Sequence, residues 1–164
     1  MRMNSTVVVT EIKKIIIYHC YGGSHSSAVA AALHTGLLKP EQAVSDNYLL
    51  SLPYFDTQKA DDHGVLQFVG TDENGNLVFS VGLETVGPSV ITALKATLAI
   101  FGQHYQHMHF IDTLPAVNLW MKLGGVCSRA LGLKQIGRPL VTYGVKKAIY
   151  DLQKIVDVVK EERI

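Results

Sequence analysis

Cysteine is scarce in this chain: Cys20 and Cys127 are the two in 164 residues, far apart and in unlike surroundings. A disulfide framework is therefore not expected, and a reducing compartment fits. Long apolar runs are missing too, none approaching the ~20 residues that a helix needs to cross a bilayer. Met1 to Thr10 has neither the basic start nor the apolar stretch of a secretion signal. A cytoplasmic location with no membrane partner is expected. No charge of one sign dominates, with 15 Lys and Arg against 14 Asp and Glu and a formal net charge of +1. Without a basic stripe, nucleic acid is not an expected partner. There is no H-E-x-x-H or C-x-x-C motif, so no metal site is predicted, although His107 and His109 share one face of a predicted strand. No repeat, low-complexity segment or linker divides the chain, which reads as one domain over residues 1–164. What is present is enough apolar material for a core: 48% of the residues, with a mean hydropathy of +0.18.

The apolar pattern alternates between strand-like and helix-like segments. Lys14 to Cys20 predicts the first strand, with Val7 to Val9 as a short strand or a loose start before it. Ser27 to His34 predicts a helix stopped by Gly36, and Ser45 to Ser51 a short helix capped by Ser45. Thr57 to Gly64 is polar and reads as an exposed loop. Val65 to Gly70 and Leu77 to Gly82 flank Thr71-Asp72-Glu73-Asn74-Gly75-Asn76, a hairpin signal. Pro88 to Phe101 predicts a helix, with Val90, Ile91, Leu94, Leu98 and Phe101 at helical spacing. His107 to Ile111 reads as a strand, and Pro115 to Leu131 as a helix that Gly124-Gly125 bends or divides. Pro139 to Tyr143 reads as a last strand. Val145 to Val159 closes the chain as an amphipathic helix burying Ile149, Leu152, Ile155, Val156 and Val159. The expected fold class is α/β, a three-layer sandwich with a mostly parallel sheet and one β-hairpin. Ligands in such folds sit at the carboxyl ends of strands, here Cys20 to Ser27, Asp112-Thr113 and Tyr143-Gly144.

The first of these ends is the richest. Ile15-Ile16-Ile17-Tyr18-His19-Cys20 runs into Tyr21-Gly22-Gly23-Ser24-His25-Ser26-Ser27 and then an alanine-rich helix. A Gly- and Ser-rich loop opening into a helix exposes backbone N–H groups at the positive end of the helix dipole, a setting suited to a phosphate. It is neither a Walker A loop, which would end in Gly-Lys-Ser/Thr, nor a G-x-G-x-x-G dinucleotide loop.

The loop resembles the cysteine phosphatase loop H-C-x-x-G-x-x-R-S/T, with His19, Cys20, Gly23 and Ser27 in register and Ser26 in place of the arginine. That likeness implies a cysteine nucleophile. It is also similar to the C-x-x-G-x-S-T-S type loop of the cysteine-phosphorylated IIB subunits of the sugar phosphotransferase system, which has no arginine; Cys20, Gly23, Ser26 and Ser27 carry this likeness. Over nearly its whole length the chain resembles a bacterial family of unknown function with a Tyr-His-Cys-Tyr-Gly-Gly-Ser/Thr-His-Ser-Ser motif. Leu52-Pro53-Tyr54-Phe55-Asp56, Gly70-Thr71-Asp72, Asp112-Thr113-Leu114-Pro115 and Gly137-Arg138-Pro139-Leu140 extend this resemblance. It implies membership and brings no activity with it.

Each candidate residue has a structural reading beside the chemical one. Cys20 is a nucleophile or a small apolar residue at the core edge. His25 is an anion ligand or proton carrier, or else an exposed polar residue. Asp112 is a general acid facing Cys20, a Mg²⁺ holder through water, or a turn residue. Gly22, Gly23, Ser24, Ser26 and Ser27 offer N–H groups and hydroxyls to a phosphate, while Ser26 or Ser27 also suits a helix cap. Arg138, fixed between Gly137 and Pro139, suits an anion clamp, but as the start of a parallel strand it would lie at the far end from Cys20. Arg129 reads as a solvated helix charge, Cys127 as core, and His19 as a residue that orients the loop. The leading expectation is a protein that binds a phosphate-bearing small molecule at residues 20–27, with phosphoryl transfer through Cys20, and no cofactor is named by the sequence. A non-catalytic nucleotide or phospho-metabolite module is the second reading. A structural or assembly protein, with apolar surface spent on a homo-oligomer, is the third.

Overall fold

The computed structural model describes residues 13–161, so Val7 to Val9 lies outside the described residues. Its sheet has four strands: β1 (Ile15–Cys20), β2 (Gln67–Thr71), β3 (Leu77–Gly82) and β4 (Met108–Asp112), in the order β2-β3-β1-β4. β1 pairs in parallel with both β3 and β4, and β2 closes the hairpin antiparallel to β3. The helices are α1 (Ser26–His34), α2 (Asp46–Ser51), α3 (Gly87–Ile100), α4 (Leu119–Gly125) and α5 (Lys134–Glu161). A five-residue π-helical segment, Val126–Ala130, follows α4. The mixed α/β class and the mostly parallel sheet agree with the sequence reading, as does the capping of α2 by Ser45, whose Oγ accepts from Tyr48 N.

Strand β1 divides its residues between two layers. Ile16 and Tyr18 join α1 and α5 residues such as Val29, Leu33, Val141 and Leu152 in the main core. Ile17 faces the other way and packs with Val81, Leu83 and Ile91 of α3. The chain leaves β1 through α1, reaches β3, then returns through α3 to β4 on the opposite side of β1. The end of β1 is thus where the topology reverses, the position at which such sheets leave a crevice for ligands. The expected apolar face of α3 is only partly covered: Ile91, Leu94 and Leu98 are half-buried, while Val90 and Phe101 stay exposed.

One element differs in kind. Pro139 to Tyr143 is not a strand but part of the 28-residue helix α5. The apolar stripe of α5 runs unbroken through Gly137, Val141, Gly144, Val145, Ala148, Ile149, Leu152, Val156 and Val159, all buried. Its glycines disguise it. A Cβ at Gly137 would overlap the backbone of Ser128, and one at Gly144 would press on Met121 of α4. These glycines are contact points where α4, the π segment and α5 approach closely. Pro139, near the start of α5, lacks an N–H, yet it is tolerated where few helical bonds are lost. Tyr143 and Gly144 consequently lie mid-helix and not at a strand end, with Tyr143 edge-on to Trp120.

A buried polar chain ties the hairpin to the core. Tyr18 Oη lies 2.7 Å from His34 Nδ1, and His34 Nε2 lies 3.2 Å from Asp72 Oδ2. The Asp72 carboxylate also accepts from the backbone of Asn74 and Asn76 and from Asn76 Nδ2. Burial lowers the His34 pKa below its ordinary 6.5, outweighing the nearby Asp72 carboxylate. His34 is therefore neutral, its Nδ1 accepting a hydrogen bond from Tyr18 Oη and its Nε2 donating one to Asp72. The unfolded chain accepts a proton near pH 6.5 that the folded chain resists, so this stability is complete above that pH and is lost as pH falls below it. Thermal melts should show a decline from pH 7 to pH 5 that is smaller in His34→Gln. Tyr18→Phe, leaving His34 Nδ1 without its donor, should cost about 1–3 kcal/mol by denaturant titration.

Candidate functional site

Residues 20–27 form a tight turn stacked on the end of β3. Gly23 has φ +69, and a Cβ there would fall 2.5 Å from Gly82 N and 2.5 Å from Gln58 Oε1. Only glycine meets both demands, a left-handed backbone and no side chain. The turn folds back so that Gly23 N–H donates to Cys20 Sγ at 3.2 Å, and Ser27 Oγ lies 3.1 Å from the same sulfur. Thr113 Oγ1 braces the loop, 2.9 Å from both the His19 carbonyl oxygen and Ser26 Oγ. Among the described residues, no acceptor meets the backbone N–H of Ser24, His25, Ser26, Ser27 or Ala28. These groups open the N-terminus of α1.

The loop forms one wall of a cavity of about 770 Å³. Cys20, Gly22, Ser24, His25 and Ser26 line it, together with Gln58, Ser128 and the apolar side chains of Leu114, Val117, Met121 and Val126. Lys59, Lys122, Arg129 and Lys134 also line the cavity, and no Asp or Glu does. The Gln58 side chain is buried with neither amide atom hydrogen-bonded, an unusual cost for a folded chain unless something else meets it.

Behind the wall sits a residue that sequence reasoning passed over. Asp56 is fully buried, with a left-handed φ of 51. Its carboxylate takes His25 Nε2 at 3.2 Å, Ser128 Oγ at 2.7 Å and Arg138 Nε at 3.0 Å. Its backbone is held as well, the N–H donating to Ser24 O and the carbonyl accepting from Arg129 Nη1. Burial alone would raise the Asp56 pKa, but hydrogen bonds from His25, Ser128 and Arg138 outweigh it and hold the value at about 2. The ionised carboxylate fixes His25, whose ring is also edge-on to Phe55. With Nε2 donating to Asp56, Nδ1 is the ring nitrogen left to give or take a proton. Asp56 lies in Leu52-Pro53-Tyr54-Phe55-Asp56, a segment that marked the family resemblance without suggesting a role.

The expected site residues fall into three groups. Cys20, Gly22, Ser24, His25 and Ser26 line the cavity; Gly23 and Ser27 support it from within the loop. Arg138 is not at a strand start far from Cys20. Helix α5 brings it to Asp56, so it braces His25 from behind the wall. Arg129 is likewise no solvated charge, since it bonds Asp56 O and lines the cavity. Asp112 is outside the cavity lining: its Oδ1 accepts from Leu114 N and lies 3.9 Å from His19 Nδ1. His19 is buried on that other face, and burial lowers its pKa despite Asp112. Cys127 is half-buried. Lys59, Lys122, Lys134 and Gln58 went unnoticed because isolated polar residues in separate segments carry no spacing signal. Among the described residues no group of three or more His, Cys, Asp or Glu is placed to hold a metal, and no helix is long and apolar enough to cross a membrane.

Asp56 carries a prediction of its own. Its folded pKa is depressed from 3.8 to about 2, so its ionised form contributes about 2 kcal/mol above pH 4 that is lost as pH falls toward 2. Asp56→Asn should destabilise the protein by about 2 kcal/mol, because it weakens the bonds from His25, Ser128 and the partly exposed Arg138, and should flatten the acid limb of a stability–pH curve measured by denaturant titration.

Comparison with known proteins gives one match. A family described as a protein of unknown function (DUF3189) matches residues 15–161, and the chain belongs to that family. No curated protein and no solved structure matches the chain.

Proposed function

We propose that this family member binds a phosphate-bearing small molecule with the phosphate seated on residues 22–27, and that Cys20 is the nucleophile of a phosphoryl transfer. The observation that carries the reading is the meeting, on one cavity wall, of acceptor-free N–H groups at the start of α1 with a sulfur held by Gly23 N–H and Ser27 Oγ. The loop has no Lys or Arg of its own, and Lys59, next to the Gln58 that packs against Gly23, supplies positive charge from another segment. The Cys20 thiolate attacks phosphorus, an S–P bond forms and the P–O bond to the organic group breaks. The leaving oxygen takes a proton from His25. An acceptor hydroxyl or water then attacks phosphorus, gives its proton to His25, and the S–P bond breaks to regenerate the thiolate. Asp56 positions His25 through Nε2, so that the proton moves at Nδ1. Asp112 is too far toward the His19 face to be given the proton-transfer role.

A non-catalytic binding module is the second reading, favoured by the burial of Cys20, which is only 5% exposed. The two separate on turnover. Phosphate compounds, phenyl phosphate among them, should raise the melting temperature, by an amount equivalent to about 2.7 kcal/mol at a hundred times Kd. Gly23→Val should abolish that shift, with circular dichroism reporting whether its fold survives, and Ser27→Ala is the milder companion. Release of nitrophenol from nitrophenyl phosphate that vanishes in Cys20→Ser, with the melting shift kept, supports transfer. A shift without any turnover supports binding alone. No shift with any phosphate compound overturns the proposal.

A further inference from the structure

At about 770 Å³ the cavity far exceeds a phosphate group and matches sites that enclose a whole organic molecule. Its wall beyond the loop has two characters. Leu114, Val117, Met121 and Val126 present apolar surface, while Lys59, Lys122, Arg129 and Lys134 also line the cavity, with no acidic residue in the lining. Of the lysines elsewhere, Lys146, Lys154 and Lys160 pair with carboxylates and Lys95 and Lys147 sit over aromatic rings, while Lys39 is exposed. Among the described residues, the ammonium groups of Lys59, Lys122 and Lys134 have no such partner. Like charges lining one cavity repel one another, and a bound anion relieves that repulsion. A phosphate ester carries about −1.5 to −2 at neutral pH, and the α1 N–H groups already receive part of that charge. The unpaired Gln58 amide, packed against Gly23, gives the phosphate end one more donor. The wall cations are therefore in excess over a single phosphate.

We infer that the ligand carries two anionic groups: a phosphate on the loop, an apolar body against Leu114, Val117 and Met121, and a second anion, carboxylate or phosphate, held by Lys122, Arg129 and Lys134. This rests on the phosphate reading above and names the class of molecule it takes. Calorimetric titration of Cys20→Ser protein, which prevents turnover, compares phenyl phosphate, 4-carboxyphenyl phosphate and 1,4-phenylene bisphosphate. A second anion should tighten binding about tenfold at low salt, the sum of a few partly exposed ion pairs. The gain should shrink with added salt. It should disappear in Lys122→Gln/Lys134→Gln, which still binds phenyl phosphate, and persist in Lys39→Gln, an exposed lysine outside the cavity. Both cavity lysines are exposed, and the melting temperature of the free variant checks its fold. A gain confined to the carboxylate or to the bisphosphate identifies the second group. Equal affinity for all three compounds overturns this inference and leaves the phosphate reading standing. Binding of none of them overturns the phosphate reading itself.

Discussion

The buried carboxylate of Asp56 is the interaction on which the site depends. A charge with no exposure to solvent persists only where hydrogen bonds replace the lost water. Here His25, Ser128 and Arg138 do so at the side chain, while Ser24 and Arg129 hold the backbone. Those partners come from the first loop, the π segment and α5, so one residue joins three stretches of chain that the sheet alone would not bring together. The left-handed backbone at Asp56 shows the surroundings overriding a local preference.

Around that anchor the geometry follows from small residues. Gly23 and Gly82 let the loop rest on the end of β3, and Gly124, Gly137 and Gly144 let α4 and the π segment close on α5. The close helix contact sets where Ser128, Arg129 and Arg138 arrive. The π segment matters for the same reason: its wider turn shifts the side chains that follow α4, and such segments recur at functional sites. The cavity is then bounded on one side by the rigid β1–α1 turn and on the other by helices that bring cations to it.

Buried His34 and partly buried His25 have different standing. His34 lies in the polar chain from Tyr18 to Asp72, far along α1 from the loop, and serves the core. His25 lines the cavity with a carboxylate behind it, an arrangement that orients a ring for proton movement. The difference is access to the cavity, not residue type.

Much of the local structure was legible in the chain. The β1–loop–α1 unit, the hairpin, α3 and the later half of α5 each carry a periodic apolar pattern bounded by Gly, Pro or Ser, and such patterns are fixed by neighbours a few residues apart. The loop at Cys20 was legible for the same reason. The start of α5 was not: Gly137, Pro139 and Gly144 look like helix breakers until α4 is packed against them. Nor was the cavity, because Gln58, Lys59, Lys122, Arg129 and Lys134 are single polar residues in unrelated segments. The sequence by itself determined the order of elements as far as β4 and the Gly- and Ser-rich turn after β1. Only the tertiary structure decided that Asp56 and Arg138 stand behind His25, that Asp112 sits by His19 outside the cavity lining, and that the cations line one cavity, since long-range packing sets those distances and no local pattern encodes them.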